Sequence, residues 1–258
     1  MKKFRLVFLP TLFIPLLLSS CLTVHAKKIV EAPYIPEEAF SDAVPVKEAN
    51  SYFYYSENDV PEIDGEFNEW KDLEGVHTNQ MVYGGSFNPS NADGYFIVRT
   101  DGKNLYVFAD VTDDDPNINT LEPAAAWRGD GVEFFFGTDT SKHTYFKDSD
   151  VRVRIIPHSK SDIFDVGVGL NDAPVASDEI KVAAVYSEHG YKVEGKFPLS
   201  LLGGKDLSLK QKVRCDFQIN DADNGKERTG LLHWNSPNDN TYSDPSSWGN
   251  GKVIPLNK

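Results

Sequence analysis

The sequence predicts an all-β fold, an antiparallel β-sandwich of jelly-roll type. Three observations carry this reading. From Ser51 onward, short runs of alternating apolar and polar residues recur at close spacing. Gly, Asn and Asp turn signals separate the runs, and no helical apolar period of adequate length interrupts them. Aromatic residues make up 12% of the chain, a supply sufficient to fill the space between two sheets.

In chain order, residues 1–20 (MKKFRLVFLPTLFIPLLLSS) set Lys2, Lys3 and Arg5 before an apolar segment broken by Pro10 and Pro15 and ending in small residues. That is the layout of a signal peptide, too short and interrupted for a spanning helix. The stretch LSSC resembles the lipobox of bacterial lipoproteins, which implies cleavage before Cys21, acylation of its thiol and anchoring by several acyl chains. Leu22 in place of aspartate implies, by the same resemblance, an extracytoplasmic protein at the outer membrane or cell surface. The alternative is cleavage after Ala26, which would release a soluble secreted protein. Residues 21–50, rich in Pro, Glu and Ala, read as the lipidated cysteine and a flexible spacer ahead of a domain at 51–258. With Cys21 at the anchor, Cys215 has no intramolecular disulfide partner and the fold must rest on its core.

The clearest strands are 95–100 (YFIVRT), 104–113, 131–139, 150–157, 179–188, 190–199 and 212–221, with turns at Gly102–Asn104, His189–Gly190 and Gly203–Gly204. Side chains alternate across a strand, so the dominant apolar parity marks the core. It selects Val132, Phe134 and Phe136; Val151, Val153 and Ile155; and Val213, Cys215, Phe217 and Ile219. The opposite parity then sends Glu133, Phe135, Arg152, Arg154, Arg214, Asp216, Gln218 and Asn220 to an outward polar face. Trp127 stands just before one of these strands, and Tyr242 lies in a long loop (NSPNDNTYSDPSSWGNG) whose composition would not otherwise hold an aromatic. Flat rings beside carboxylate, guanidinium and amide groups suit a sugar, whose C–H faces stack on aromatics while its hydroxyls need fixed donors and acceptors. Trp70, Trp234 and Trp248 read as packing residues, Trp70 as a plug at one end of the sandwich.

The ordered pieces IDGEFNEW, LYVFADVTDDDP, WRGDGVEFFFGTD, GYKVEGKFPL, FQINDAD and NDNTYSDPSSWG resemble family 9 carbohydrate-binding modules, from residue 62 to the C-terminus. The resemblance implies a β-sandwich that clamps the end of an oligosaccharide or polysaccharide chain between two aromatic rings. Carried over by position, the clamps are Trp127 and Tyr242, and the sugar ligands are Glu133, Arg154, Gln218 and Asp239. Two positions depart from the family pattern: Tyr242 replaces the usual tryptophan and Asp239 the usual asparagine. The resemblance also implies structural calcium. The acidic residues Asp113, Asp114 and Asp115, with Asp64 of the IDGE turn, are the candidate ligands, oxygen donors suiting a hard cation. Asp130, between two glycines, reads as a turn residue.

A net charge of −13 lacks the basic footprint of a nucleic-acid partner. The expected partners are a glycan, a membrane through the lipid anchor, and neighbouring glycan-degrading enzymes. No nucleophile elbow, zinc-helix motif or phosphate loop is present, and the 6 histidines have no metal-ligand spacing. The first alternative is a glycoside hydrolase, pairing Glu133 with Asp216 or Asp239. The second is a haem-binding electron-transfer domain, for which Met81 is the one internal methionine.

Overall fold

The computed structural model describes residues 50–256 apart from Pro123 and residues 161–162, 171–172 and 175–176. The signal peptide, the Cys21 acylation site and the spacer to residue 49 lie outside the described residues. The strands are β1 (Asn50–Tyr55), β2 (Val76–His77), β3 (Gln80–Tyr83), β4 (Ala92–Thr100), β5 (Asn104–Asp113), β6 (Gly131–Gly137) and β7 (Asp150–Lys160). They continue with β8 (Ile163–Leu170), β9 (Ala173–Pro174), β10 (Lys181–Ser187), β11 (Gly190–Pro198), β12 (Lys212–Asp221), β13 (Gly230–His233) and β14 (Gly249–Pro255). Each strand read from alternation is present, displaced at its ends by a few residues. The turn into β11 needs Gly190, whose φ of +131° favours glycine and whose added Cβ would collide with the carbonyl of Val111.

Pairing runs β10-β11-β5-β4-β1-β14-β12-β6-β7-β8-β9, with β2 on β4 and β13 joining β12 to β3. The path folds over on itself into a β-sandwich. Phe96 of β4 meets Phe217 of β12 with ring centroids 5.0 Å apart, and Phe53 of β1 meets Phe134 and Phe136 of β6 at 6.5 and 6.1 Å. The pairing is not wholly antiparallel: β1 runs parallel to both β4 and β14. Neither neighbour is joined to it by a hairpin, and long connections permit parallel pairing.

The inward parity is as expected, with Val132, Phe134, Phe136, Val151, Val153, Ile155, Val213, Cys215, Phe217 and Ile219 sharing one buried core. The opposite parity departs from expectation. It does not face solvent, because Glu133, Phe135, Arg152, Arg154, Arg214, Asp216, Gln218 and Asn220 are all buried. The segment 234–248 packs over this face, and β13 extends the same sheet beside β12. Asp216 accepts the backbone N–H groups of Asn235 and Ser236 at 3.1 and 3.0 Å. The Arg214 guanidinium donates to the carbonyls of Pro245 and Trp248 at 2.9 and 2.6 Å. Phe135 packs on the Trp248 ring at 5.6 Å. A second layer of packing thus fixes a loop that composition alone would leave irregular.

Trp70 is buried, though not at an end of the sandwich. It stacks on Phe108 at 5.4 Å, beside Ile97 and Tyr106, so it covers the outward face of β4 and β5. Its Nε1 donates to Glu194 at 2.8 Å, which satisfies the indole in an apolar setting. Trp234 packs edge-on against Phe217, and Trp248 lies between Phe135 and Phe146, both as packing residues.

His233 of β13 is fully buried, and burial lowers its pKa to about 3. A depressed basic pKa adds stability above the ordinary value of 6.5, and this is lost as pH falls from 6.5 towards 3. The stability of the wild type relative to His233→Gln is therefore expected to fall on acidification, by at most about 1.4 kcal/mol per pH unit. Urea melts of both proteins across this range check it; a difference independent of pH would contradict the buried neutral imidazole.

Candidate functional site

One wall of a cleft is carried by the short turn Ala126–Arg128, which presents Trp127 with 40% of its surface exposed. The buried Asn119 amide braces this turn, donating to the carbonyls of Ala126 and Asp130 at 2.8 and 2.9 Å. Gly129 is required beside it, since an added Cβ would lie 2.6 Å from Asn119 Cγ. The other wall is the segment 234–248, which presents Tyr242 with 55% exposed. This segment is pinned from below by Asp216 and Arg214. At its far end the Asp244 carboxylate caps the turn Pro245–Ser247 through Ser246 N at 2.8 Å.

Between the walls the cleft encloses about 550 Å³ and is lined by Ala124, Trp127, Glu133, Arg152, Arg154, Gln218, Arg228, Asp239 and Tyr242. All the sugar-ligand candidates read from sequence, Trp127, Glu133, Arg154, Gln218, Asp239 and Tyr242, are brought together here. Register explains the grouping, because Glu133 of β6 stands opposite Arg154 of β7 on one side and Gln218 of β12 on the other.

Glu133 is 2% exposed and is paired rather than solvated. Arg154 Nε donates to its Oε1 at 2.8 Å, Asn220 Nδ2 to the same oxygen at 3.0 Å, and Arg152 Nε lies 3.5 Å from Oε2. Burial pushes the Glu133 carboxyl up, but the two guanidinium groups outweigh burial and hold it below its ordinary range. Gln218 Nε2 donates to Asn220 Oδ1 at 3.0 Å, so the floor is one connected network. Its polar groups are held by one another.

Sequence reading assigned no role to Asn220 and did not find Arg228. Asn220 shares the strand and parity of Gln218 and was legible by that signal. Arg228 lies in the connection from β12 to β13, where no periodicity marks it. Of the two candidate second carboxylates of a hydrolase, Asp239 lines the cleft with Glu133, whereas Asp216 lies outside the lining with no exposed surface. Burial raises its pKa to about 6 against the hydrogen bonds from Ser236 and Asn235, which pin the loop, and from its neighbour Phe217. Met81, on β3, packs against the main core.

The acidic residues regroup. Asp113 is joined not by Asp64, Asp114 and Asp115 but by Asp130 and Asp221, with ligand oxygens within 4.8 Å of one another. Asp114 and Asp115 are exposed beyond the end of β5. Asp64 closes its own turn by accepting Glu66 N at 2.8 Å. The convergent oxygens come from the ends of β5 and β12 and from the turn before β6, so no local motif announces them. Burial, with repulsion among the carboxylates, raises Asp113 to about 6, Asp130 to about 8 and Asp221 to about 7. Asp221 Oδ1 is buried without a hydrogen-bond partner. An oxygen-only set with an unsatisfied buried oxygen fits a hard cation.

Residues 63–254 match the family described as "Carbohydrate family 9 binding domain-like". The chain is 29% identical over 192 residues to endo-1,4-beta-xylanase A of Thermoanaerobacterium saccharolyticum, covering 74% of this chain and 15% of that protein. It is 30% identical over 195 residues to exoglucanase XynX of Acetivibrio thermocellus, covering 74% of this chain and 16% of that protein. The chain thus spans a small fraction of these relatives. Among solved structures, a family 9 carbohydrate binding module from Caldicellulosiruptor kristjanssonii in complex with glucose is similar, at a TM-score of 0.61 and 22% identity. The similarity covers 81% of this chain and 98% of that one. The same organism's module in complex with cellotriose matches at a TM-score of 0.61 and 21% identity, over 81% and 96% of the two chains.

Proposed function

The chain belongs to the carbohydrate family 9 binding domain-like family, and from that premise we propose that it binds carbohydrate without transforming it. A pyranose at the end of an oligosaccharide or polysaccharide enters between Trp127 and Tyr242, its C–H faces on the two rings. Its hydroxyls meet Glu133, Arg154, Gln218 and Asp239. The observation that carries this reading is two exposed aromatic walls over a floor whose polar groups are already fixed to one another. Preorganisation of that kind lowers the cost of binding.

Hydrolysis is disfavoured by the chemistry of the same floor. A glycosidase needs a carboxylic acid with a raised pKa, and Glu133 is held ionised. Titration calorimetry with glucose, cellobiose and xylobiose, followed by analysis of released sugar, tests both parts. The expected result is binding without release, weakened about tenfold in Tyr242→Ala. Release of sugar by a pure preparation would overturn the reading.

Calcium is proposed at Asp113, Asp130 and Asp221, where it would neutralise converging carboxylates and tie together the ends of β5 and β12 and the turn before β6. Because Asp130 follows the turn of Trp127, this would also stiffen one wall of the cleft. Calcium is expected to raise the melting temperature and a chelator to lower it; no response to either in calorimetry would reject the site. On the leader sequence, the protein is proposed to be acylated at Cys21 and anchored extracytoplasmically at the outer membrane or cell surface, beside enzymes that degrade glycans. Loss of membrane association in Cys21→Ala is the corresponding test.

A further inference from the structure

We infer that Tyr83 is a third aromatic platform, on which a second sugar unit of a bound chain rests outside the clamp of Trp127 and Tyr242. This rests on the reading of the cleft as a sugar site. Strand register aims the ring. Met81 of β3 stands opposite Leu232 of β13, and both pack in the main core. Continued without a break, that pairing would set Tyr83, two residues on, back on the core face. Instead the register shifts between Leu231 and Leu232, Val82 is the extra residue, and Tyr83 stands opposite Leu231. Leu231 in turn stands opposite Asn220 of β12, whose side chain belongs to the cleft floor. The bulge thus moves Tyr83 from the face of the core to the face of the cleft.

The ring ends beside the site. Tyr83 is 54% exposed, and the Arg228 guanidinium lies 5.6 Å from its ring centroid and 5.1 Å from that of Trp127. Arg228 lines the cleft and Tyr83 does not, so the tyrosine stands at the rim, next to Arg228. A chain end held between the two walls therefore has an aromatic surface within reach of its next unit. An aromatic ring takes a sugar by its C–H faces, whatever the pattern of its hydroxyls, so this platform reads chain length more than sugar identity. The guanidinium steadies the ring in advance, which limits the freedom lost when the second unit arrives.

The test is calorimetry of wild type, Tyr83→Ala, Tyr83→Phe and Trp127→Ala with glucose, cellobiose and cellotriose, with melting temperatures taken in parallel. Wild type is expected to bind cellotriose about tenfold more tightly than glucose, a typical size for one further stacked ring. Tyr83→Ala is expected to lose that gain while binding glucose within about twofold of wild type. Tyr83→Phe keeps the ring without the hydroxyl and is expected to keep the gain. No gain with chain length in wild type, or a gain that persists in Tyr83→Ala or vanishes in Tyr83→Phe, overturns the inference. So does an equal loss for glucose and cellotriose in Tyr83→Ala, which would mean that the ring serves only to hold Arg228. In each of these cases, wild-type binding that is lost in Trp127→Ala leaves the sugar reading standing. Failure of the wild type to bind any of these sugars would overturn both.

Discussion

Replacing Trp127 by alanine is expected to weaken cellobiose binding by about a hundredfold or more, while the circular dichroism spectrum and melting temperature stay close to wild type. The separation of effects follows from position. Trp127 is 40% exposed, and its turn is held by Asn119 through backbone carbonyls, so the fold does not depend on the indole. Its loss removes one stacking face and the ring beneath the Arg228 guanidinium, a contact worth about 1 kcal/mol at a partly exposed site. Titration calorimetry measures the affinity and a thermal melt the stability. Equal affinity in parent and variant would remove Trp127 from the site.

Glu133→Leu is expected to behave oppositely, with the largest effect on stability. The carboxylate is buried and shared by Arg152, Arg154 and Asn220. Leucine would leave two buried guanidinium groups without the anion between them, a change that typically costs about 3–5 kcal/mol. Binding would fall as well, because the floor loses its central acceptor. Urea denaturation gives the stability directly; a loss under about 1 kcal/mol would mean that Glu133 is not the anchor of this network. Glu133→Gln preserves the shape and the Asn220 hydrogen bond, and is expected to lie between the two.

The contrast shows how far alternation carries. In β6 it separated Val132, Phe134 and Phe136 from Glu133 and Phe135 correctly, because a period of two is a local property of an extended chain. It could not show that the second set is buried. The segment 234–248 supplies that cover, and its anchoring on Asp216 and Arg214 is made by contacts distant in sequence. Trp70 was legible as a packing residue but not in its place, because its partners Phe108 and Glu194 belong to strands far along the chain.

The site divides in the same way. Trp127 and Glu133 lie within one stretch, and Arg154, Gln218, Asp239 and Tyr242 follow from the order of the matching pieces; strand register then places Glu133 between Arg154 and Gln218. Arg228 has no such neighbour in sequence, and only the fold sets it over Trp127. The acidic cluster is the plainest case. A run of aspartates drew attention to Asp114 and Asp115, whereas the oxygens that converge with Asp113 belong to Asp130, which had read as a turn residue, and to Asp221.

The most direct test of the clamp is a crystal structure of the protein with cellobiose. The expected result is a pyranose ring lying between the faces of Trp127 and Tyr242, with hydroxyls in hydrogen-bond reach of Glu133, Arg154 and Gln218. Cellobiose bound on another surface, with the cleft between these two rings unfilled, would contradict it.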